Sequence, residues 1–110
     1  MKYYDIIIDQ KVEKHIESII KYVAYDLCNK QAALMLLNKI ESSIDGLANF
    51  PNSHPLVDEE PWRSIRVRKV YAKSYIIYYR VYENEKRVHV TSIVYSKRDQ
   101  FKQLSEIDTN

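Results

Sequence analysis

The chain has 110 residues, 45% hydrophobic and 29% charged, with 17 Lys+Arg against 15 Asp+Glu and a formal net charge of +2. Length and composition fit one folded, soluble domain and exclude both a two-domain chain and a disordered one. No uncharged apolar run approaches the ~20 residues of a membrane span, Met1-Lys2-Tyr3-Tyr4-Asp5 does not open like a signal peptide, and the lone Cys28 fits a reducing cytoplasm.

Residues 2–8, rich in Tyr and Ile, read as a short strand. Asp9 then suits a helix N-cap, because a carboxylate can accept the orphan amide bonds of a first turn. Val12, Ile16, Ile19, Ile20, Val23 and Leu27 recur at spacings of three and four, an amphipathic stripe. A break at Cys28-Asn29 places a tight turn, with Asn29 as the next cap. The second helix carries Ala33, Leu36, Leu37, Ile40, Ile44 and Leu47 on one stripe and stops before Pro51. Two helices of about five turns with so short a link predict an antiparallel hairpin. Residues 51–62 hold all three prolines and the acidic run Asp58-Glu59-Glu60, an ordered but irregular connector. Beyond it the period falls to two. Ile65 and Val67 alternate with Arg66 and Arg68 as in a half-exposed strand. Residues 74–82 form a second strand, and 87–95 a third with Val88, Val90 and Val94 on one face. Glu83-Asn84-Glu85-Lys86 is the hairpin loop between the last two.

The order β-α-α-β-β-β predicts an α+β domain, an antiparallel helical hairpin packed on a mainly antiparallel four-stranded sheet. That domain takes residues 1–99, and 100–110 form a polar C-terminal tail with Phe101 and Leu104 as its obvious anchors.

The modest net charge conceals an asymmetry. Residues 63–98 hold ten basic and two acidic residues, +8, while the rest of the chain sums to −6; six of the ten tyrosines lie in the same basic segment. Charge gathered in this way points to an acidic partner surface, nucleic acid or an acidic protein segment. Other chemistries lack their residues. His15, His54 and His89 fall in three different elements and one Cys cannot complete a zinc set, so no metal is expected. With Gly46 as the only glycine no phosphate-cradling loop can form, and no cofactor is expected. Side-chain cations are the remaining route to an anion. Arg66, Arg68, Lys73, Arg80, Lys97 and Arg98 are the candidate target-binding residues.

Several stretches carry a family resemblance. They are Ala32-Ala33, Ile40 to Ile44 to Leu47-Ala48-Asn49-Phe50-Pro51, Arg68-Lys69-Val70, Lys73-Ser74-Tyr75-Ile76-Ile77-Tyr78-Tyr79-Arg80-Val81, and Ile93-Val94-Tyr95-Ser96-Lys97-Arg98-Asp99. Together they resemble the RelE/ParE superfamily of bacterial toxins over roughly residues 2–99. The resemblance implies a β-α-α-β-β-β fold and the toxin half of a type II toxin–antitoxin pair, neutralised by a small cognate antitoxin. That antitoxin is expected to be acidic where it meets residues 63–98.

Two branches imply different chemistry. RelE-like members cut messenger RNA on the ribosome with Lys, Arg and Tyr side chains, and a catalytic Arg commonly follows the Tyr matching Tyr75. Here that position is Ile76, which cannot stabilise an anion. On this reading Arg68 and Arg98 would hold phosphate, Arg80 would take the role of the arginine missing at position 76, and Tyr95 would be the proton-transfer group. ParE-like members lack such a cluster, have long hairpin helices and poison DNA gyrase. The long helices, Ile76 and the moderate net charge favour the ParE-like branch. A third reading is a degenerate toxin that serves only to bind its antitoxin.

Overall fold

The structure, a computed structural model, describes residues 3–97; Arg98 and the predicted tail 100–110 lie outside the described residues. A short strand β1 (Asp5–Ile8) leads into α1 (Gln10–Lys21), which ends in a π-helical turn (Tyr22–Asp26), and α2 (Lys30–Asp45) returns beside it. Single 3₁₀ turns at Gly46–Ala48 and Pro51–Ser53 open the connector, followed by β2 (Arg68–Ala72), β3 (Tyr75–Tyr82) and β4 (Arg87–Tyr95). The sheet order is β1-β4-β3-β2. β1 runs parallel to β4 and the other neighbours are antiparallel. The predicted α+β architecture is thus observed, with a mixed sheet, because the helical hairpin and connector carry the chain from one edge strand to the other.

Local chemistry accounts for each departure from the predicted elements. Tyr3 and Tyr4 are not in the first strand: both amides donate to the Ala48 carbonyl, so the chain start ties down the 3₁₀ turn after α2. Asp9 caps α1 through its backbone carbonyl alone, accepting from Val12 and Glu13, and its carboxylate makes no cap bond. Asn29 does cap α2, its Oδ1 accepting from the Ala32 amide at 3.0 Å. The helices, at 12 and 16 residues, are shorter than five turns because α1 gives way to the wider π turn at Tyr22. Ile65 and Val67 are not in a strand. Arg66 adopts a left-handed φ of 65°, the Val67 amide donates back to the Trp62 carbonyl, and β2 begins only at Arg68.

A bulge changes which residues face the helices. Tyr79 pairs with Val90 but Tyr78 pairs with Ser92, leaving Thr91 as the extra residue, its hydroxyl donating to the Tyr78 carbonyl at 3.2 Å. A bulge reverses the side-chain alternation beyond it. Val88 and Val90 therefore face the helices together with Ile93, whereas Val94 faces the other way, against the period-two reading.

Both faces of the sheet are consequently covered in part. Against the helices lie Ile19, Leu36, Ile40, Leu47, Ile77, Tyr79, Val88 and Val90. On the outer face the connector lays Val57, Trp62 and Val67 over Ile76, Tyr78 and Val94. Full burial of each such side chain is worth roughly 1.5–3 kcal/mol. Tyr79 also anchors the connector, its hydroxyl donating to the Pro51 carbonyl at 2.6 Å. Tyr79→Phe leaves that carbonyl unpaired and is expected to cost about 1–3 kcal/mol in urea unfolding.

Burial, with Glu59 nearby, pushes the Tyr78 phenol up to about 12, and burial raises Tyr79 as well. Unfolded tyrosines titrate near 10, so in alkali the unfolded chain loses protons that the folded chain retains. Stability is therefore complete below pH ~10 and falls as pH rises from about 10 to about 12, by roughly 3 kcal/mol for Tyr78 alone. Urea midpoints measured across that window should decline steadily; flat midpoints would contradict the burial of these phenols.

Among the described residues no helix is long and apolar enough to cross a membrane, and no group of His, Cys, Asp or Glu could hold a metal ion.

Candidate functional site

The β3–β4 hairpin places charged and aromatic groups at its two ends, with different surroundings. At the β2–β3 turn, Tyr75 stands opposite Tyr95 with the rings 5.5 Å apart edge to face. The turn places Lys73 at a left-handed φ of 53°, and the Ser96 amide donates to the Ser74 carbonyl at 2.8 Å. The tip of the helical hairpin overhangs this end. Between them lies a groove of about 710 Å³, lined by His15, Tyr22, Leu27, Leu36, Lys73 and Tyr95 among others. Its helical wall is apolar although it faces solvent: Tyr22 is 51% and Leu27 54% exposed. The π turn accounts for Leu27, since one extra residue in the turn swings the side chain that follows it off the core-facing stripe. Lys73 on the wall and Lys97, exposed just past β4, add positive charge at that end.

At the other end Arg66 and Arg68 share a pocket of about 240 Å³ with Asn52, Val81 and Glu83. The Arg68 Nη1 donates to the His54 carbonyl at 2.6 Å. Glu83 is engaged elsewhere, accepting from Asn52 Nδ2 at 2.7 Å and the Tyr4 hydroxyl at 2.9 Å, with the Lys86 ammonium at 3.5 Å. Those bonds, Asn52 first and then Tyr4, hold its carboxyl below the usual range. Among the described residues, neither Arg66 nor Arg68 has an ion-pair partner.

Arg80 faces away from Arg68. β2 register sets Arg68 beside Tyr79 on the helix side, whereas Arg80 shares the outer face with Tyr78 and Tyr82. Its guanidinium lies over the Tyr82 ring, 5.4 Å from the centroid, and that ring meets His89 edge-on at 4.7 Å. Register pairs Arg80 with His89 and Tyr82 with Arg87. Burial, and then the charges of Arg87 and Arg80, push the His89 imidazole below its ordinary range against a smaller opposing pull from Asp9 and Glu85.

The candidate residues therefore fall into separate groups. Arg66 meets Arg68, and Lys73 meets Tyr95, but Arg68 and Arg80 occupy opposite faces of the sheet. Tyr95, opposite Tyr75, is five β3 residues from Arg80, about 16 Å along the strand. A proton-transfer group must come within ~3 Å of its target, directly or through one water. Among the described residues, Arg68, Arg80 and Tyr95 do not converge on one point, and Arg98 lies outside those residues. Ile76 sits between the groups at 0% exposure, beneath Trp62 at 4%. The sequence reading did not single out Tyr82, Arg87 and His89, which the structure groups with Arg80. The signal was available, because a four-residue loop at 83–86 obliges 82 to pair with 87 and 80 with 89.

Comparison with known proteins gives these features a family. The family model described as "ParE toxin of type II toxin-antitoxin system, parDE" matches residues 6–100. No curated protein sequence matches the chain significantly. Among solved structures the fold is similar to the archaeal RelE–RelB complex from Pyrococcus horikoshii OT3, at a TM-score of 0.61 and 15% identity, covering 88% of this chain and 99% of that one. With a mixed sheet backed by a helical hairpin and a match spanning nearly its whole length, this chain belongs to the ParE toxins of type II toxin–antitoxin systems, within the RelE/ParE superfamily.

Proposed function

We propose that the chain is a growth inhibitor that acts on DNA gyrase by binding, carries no nuclease chemistry of its own, and is neutralised in the cytoplasm by a cognate antitoxin. Ile76 carries this reading. At the position where a messenger-cutting relative would present an arginine, the chain has an isoleucine, roofed by Val57, Trp62 and Val67 and closed to any phosphate. The scatter of Arg68, Arg80 and Tyr95 over two faces and two ends of the sheet supports it further. Controlled expression of the toxin, with DNA supercoiling and messenger integrity followed in parallel, tests the reading. Loss of supercoiling with intact messages is the expected result; fragmented messages with normal supercoiling would reverse it.

The antitoxin in this reading uses two kinds of contact. An apolar segment fills the groove over Tyr22 and Leu27, and acidic residues meet the basic stretch 63–98, Lys73 and Lys97 included. Leu27 is already exposed, so Leu27→Asp adds little strain to the free toxin but sets a charge in the groove. Calorimetric titration should show antitoxin affinity falling tenfold or more, at least ~1.4 kcal/mol. Unchanged affinity would place the antitoxin elsewhere.

A further inference from the structure

Among the described residues, the connector roofs only one half of the outer sheet face. On the open half, Arg80, Tyr82, Arg87 and His89 form a two-by-two array, with cross-strand steps of about 5 Å and along-strand steps of about 7 Å. We propose that this array is a binding site for single-stranded nucleic acid, in which Arg80 and Arg87 hold successive phosphates and Tyr82 and His89 offer ring faces to a base.

Among the described residues neither arginine has a carboxylate within ion-pair distance, although Asp5 stands opposite Arg87 in the β1–β4 register. Buried Nε of Arg87 and Nε2 of His89 have no hydrogen-bond partner. Two guanidinium groups held close together without ion-pair partners repel one another, and an arriving anion relieves that repulsion. Tyr82 pre-orients the Arg80 guanidinium beneath solvent, which reduces the ordering cost of binding.

Phosphodiester chemistry fits this array better than an acidic peptide does. A peptide needs apolar area to bury, and among the described residues the array offers beside it the exposed Ile7, paired with His89. The chain's deep apolar groove lies at the far end of the strands, over Tyr75 and Tyr95. A nucleic acid strand needs only donors for its backbone and ring faces for its bases, which is what the array offers. The site stands apart from the gyrase reading: a chain that inhibits gyrase but fails the following test loses this proposal alone.

The full-length chain is titrated, in the absence of gyrase, into a short fluorescein-labelled single-stranded DNA, its duplex, and a polyglutamate of matched charge. The single strand should bind best, with an affinity that falls as salt rises. Arg80→Gln with Arg87→Gln should weaken it tenfold or more and flatten the log–log salt slope by about 1.4. Tyr82→Leu should weaken the single strand several-fold while leaving the duplex nearly unchanged. Circular dichroism confirms that each variant is folded. A measurement on the unaltered chain needs no variant: the single strand should move the His89 imidazole resonances. Polyglutamate binding as tight as DNA, a double variant that binds like the parent, or unmoved His89 resonances would each overturn the proposal.

Discussion

Replacing Ile76 with arginine is expected to destabilise the protein by about 3–5 kcal/mol and to create no messenger cleavage. Ile76 is fully enclosed by Val57, Trp62, Val67, Tyr78 and Val94. A guanidinium there must either remain in an apolar pocket with no carboxylate in the surrounding cluster, or push the connector off the sheet. Either route takes a large share of a small domain's total stability, which is only about 5–15 kcal/mol. The two halves of the prediction have separate readouts, urea unfolding for stability and primer extension on translated messages for cleavage. A stable Ile76→Arg protein that cuts messages would mean that this face is an idle nuclease site rather than an apolar joint, and the gyrase reading would lose its main support.

Trp62→Ala should have a comparable effect on stability, about 3–5 kcal/mol, because it deletes the largest side chain of the outer cluster and leaves a cavity above Ile76 and Tyr78. It also has a spectroscopic signature that a generic loss of stability lacks. The Tyr78 phenol is held up at about 12 chiefly by burial. Opening the roof admits water and should bring that phenol back toward the ordinary value near 10. Tyrosine ionisation followed by ultraviolet absorbance, under conditions where the variant remains folded, would then show one phenol more titrating near pH 10 than in the parent chain. An unchanged titration would indicate that Val57 and Val67, rather than Trp62, keep water from Tyr78.

These two residues also show how far the sequence could be read. Element order, the helical stripes from Val12 and from Ala33, the cap at Asn29 and the strand 87–95 were legible because each rests on a local period or a local hydrogen bond. The outer cluster was not. Ile65 and Val67 alternate with arginines just as strand residues do, but a left-handed Arg66 converts that alternation into a turn, and its apolar side chains roof the sheet. Val94 was assigned to the wrong face because a single extra residue, Thr91, reverses the alternation, and no residue type announces a bulge. Position 76 was recognised as unusual from the resemblance alone; that it is sealed, rather than merely apolar, depends on residues up to 19 positions away in sequence. For the candidate site, the charge asymmetry singles out strands but says nothing of their faces. Alternation sends Arg68 and Arg80 to opposite sides of the sheet, so a +8 segment that looks like one patch in the sequence becomes separate groups in space.

The central claim is that this toxin inhibits gyrase by binding and needs no chemistry of its own. Its most direct test is a supercoiling assay with purified gyrase, relaxed plasmid and the purified full-length chain, followed by addition of the antitoxin. The account predicts that supercoiling falls as toxin is added and recovers when antitoxin is supplied. Gyrase that works at full rate with toxin in excess would contradict it.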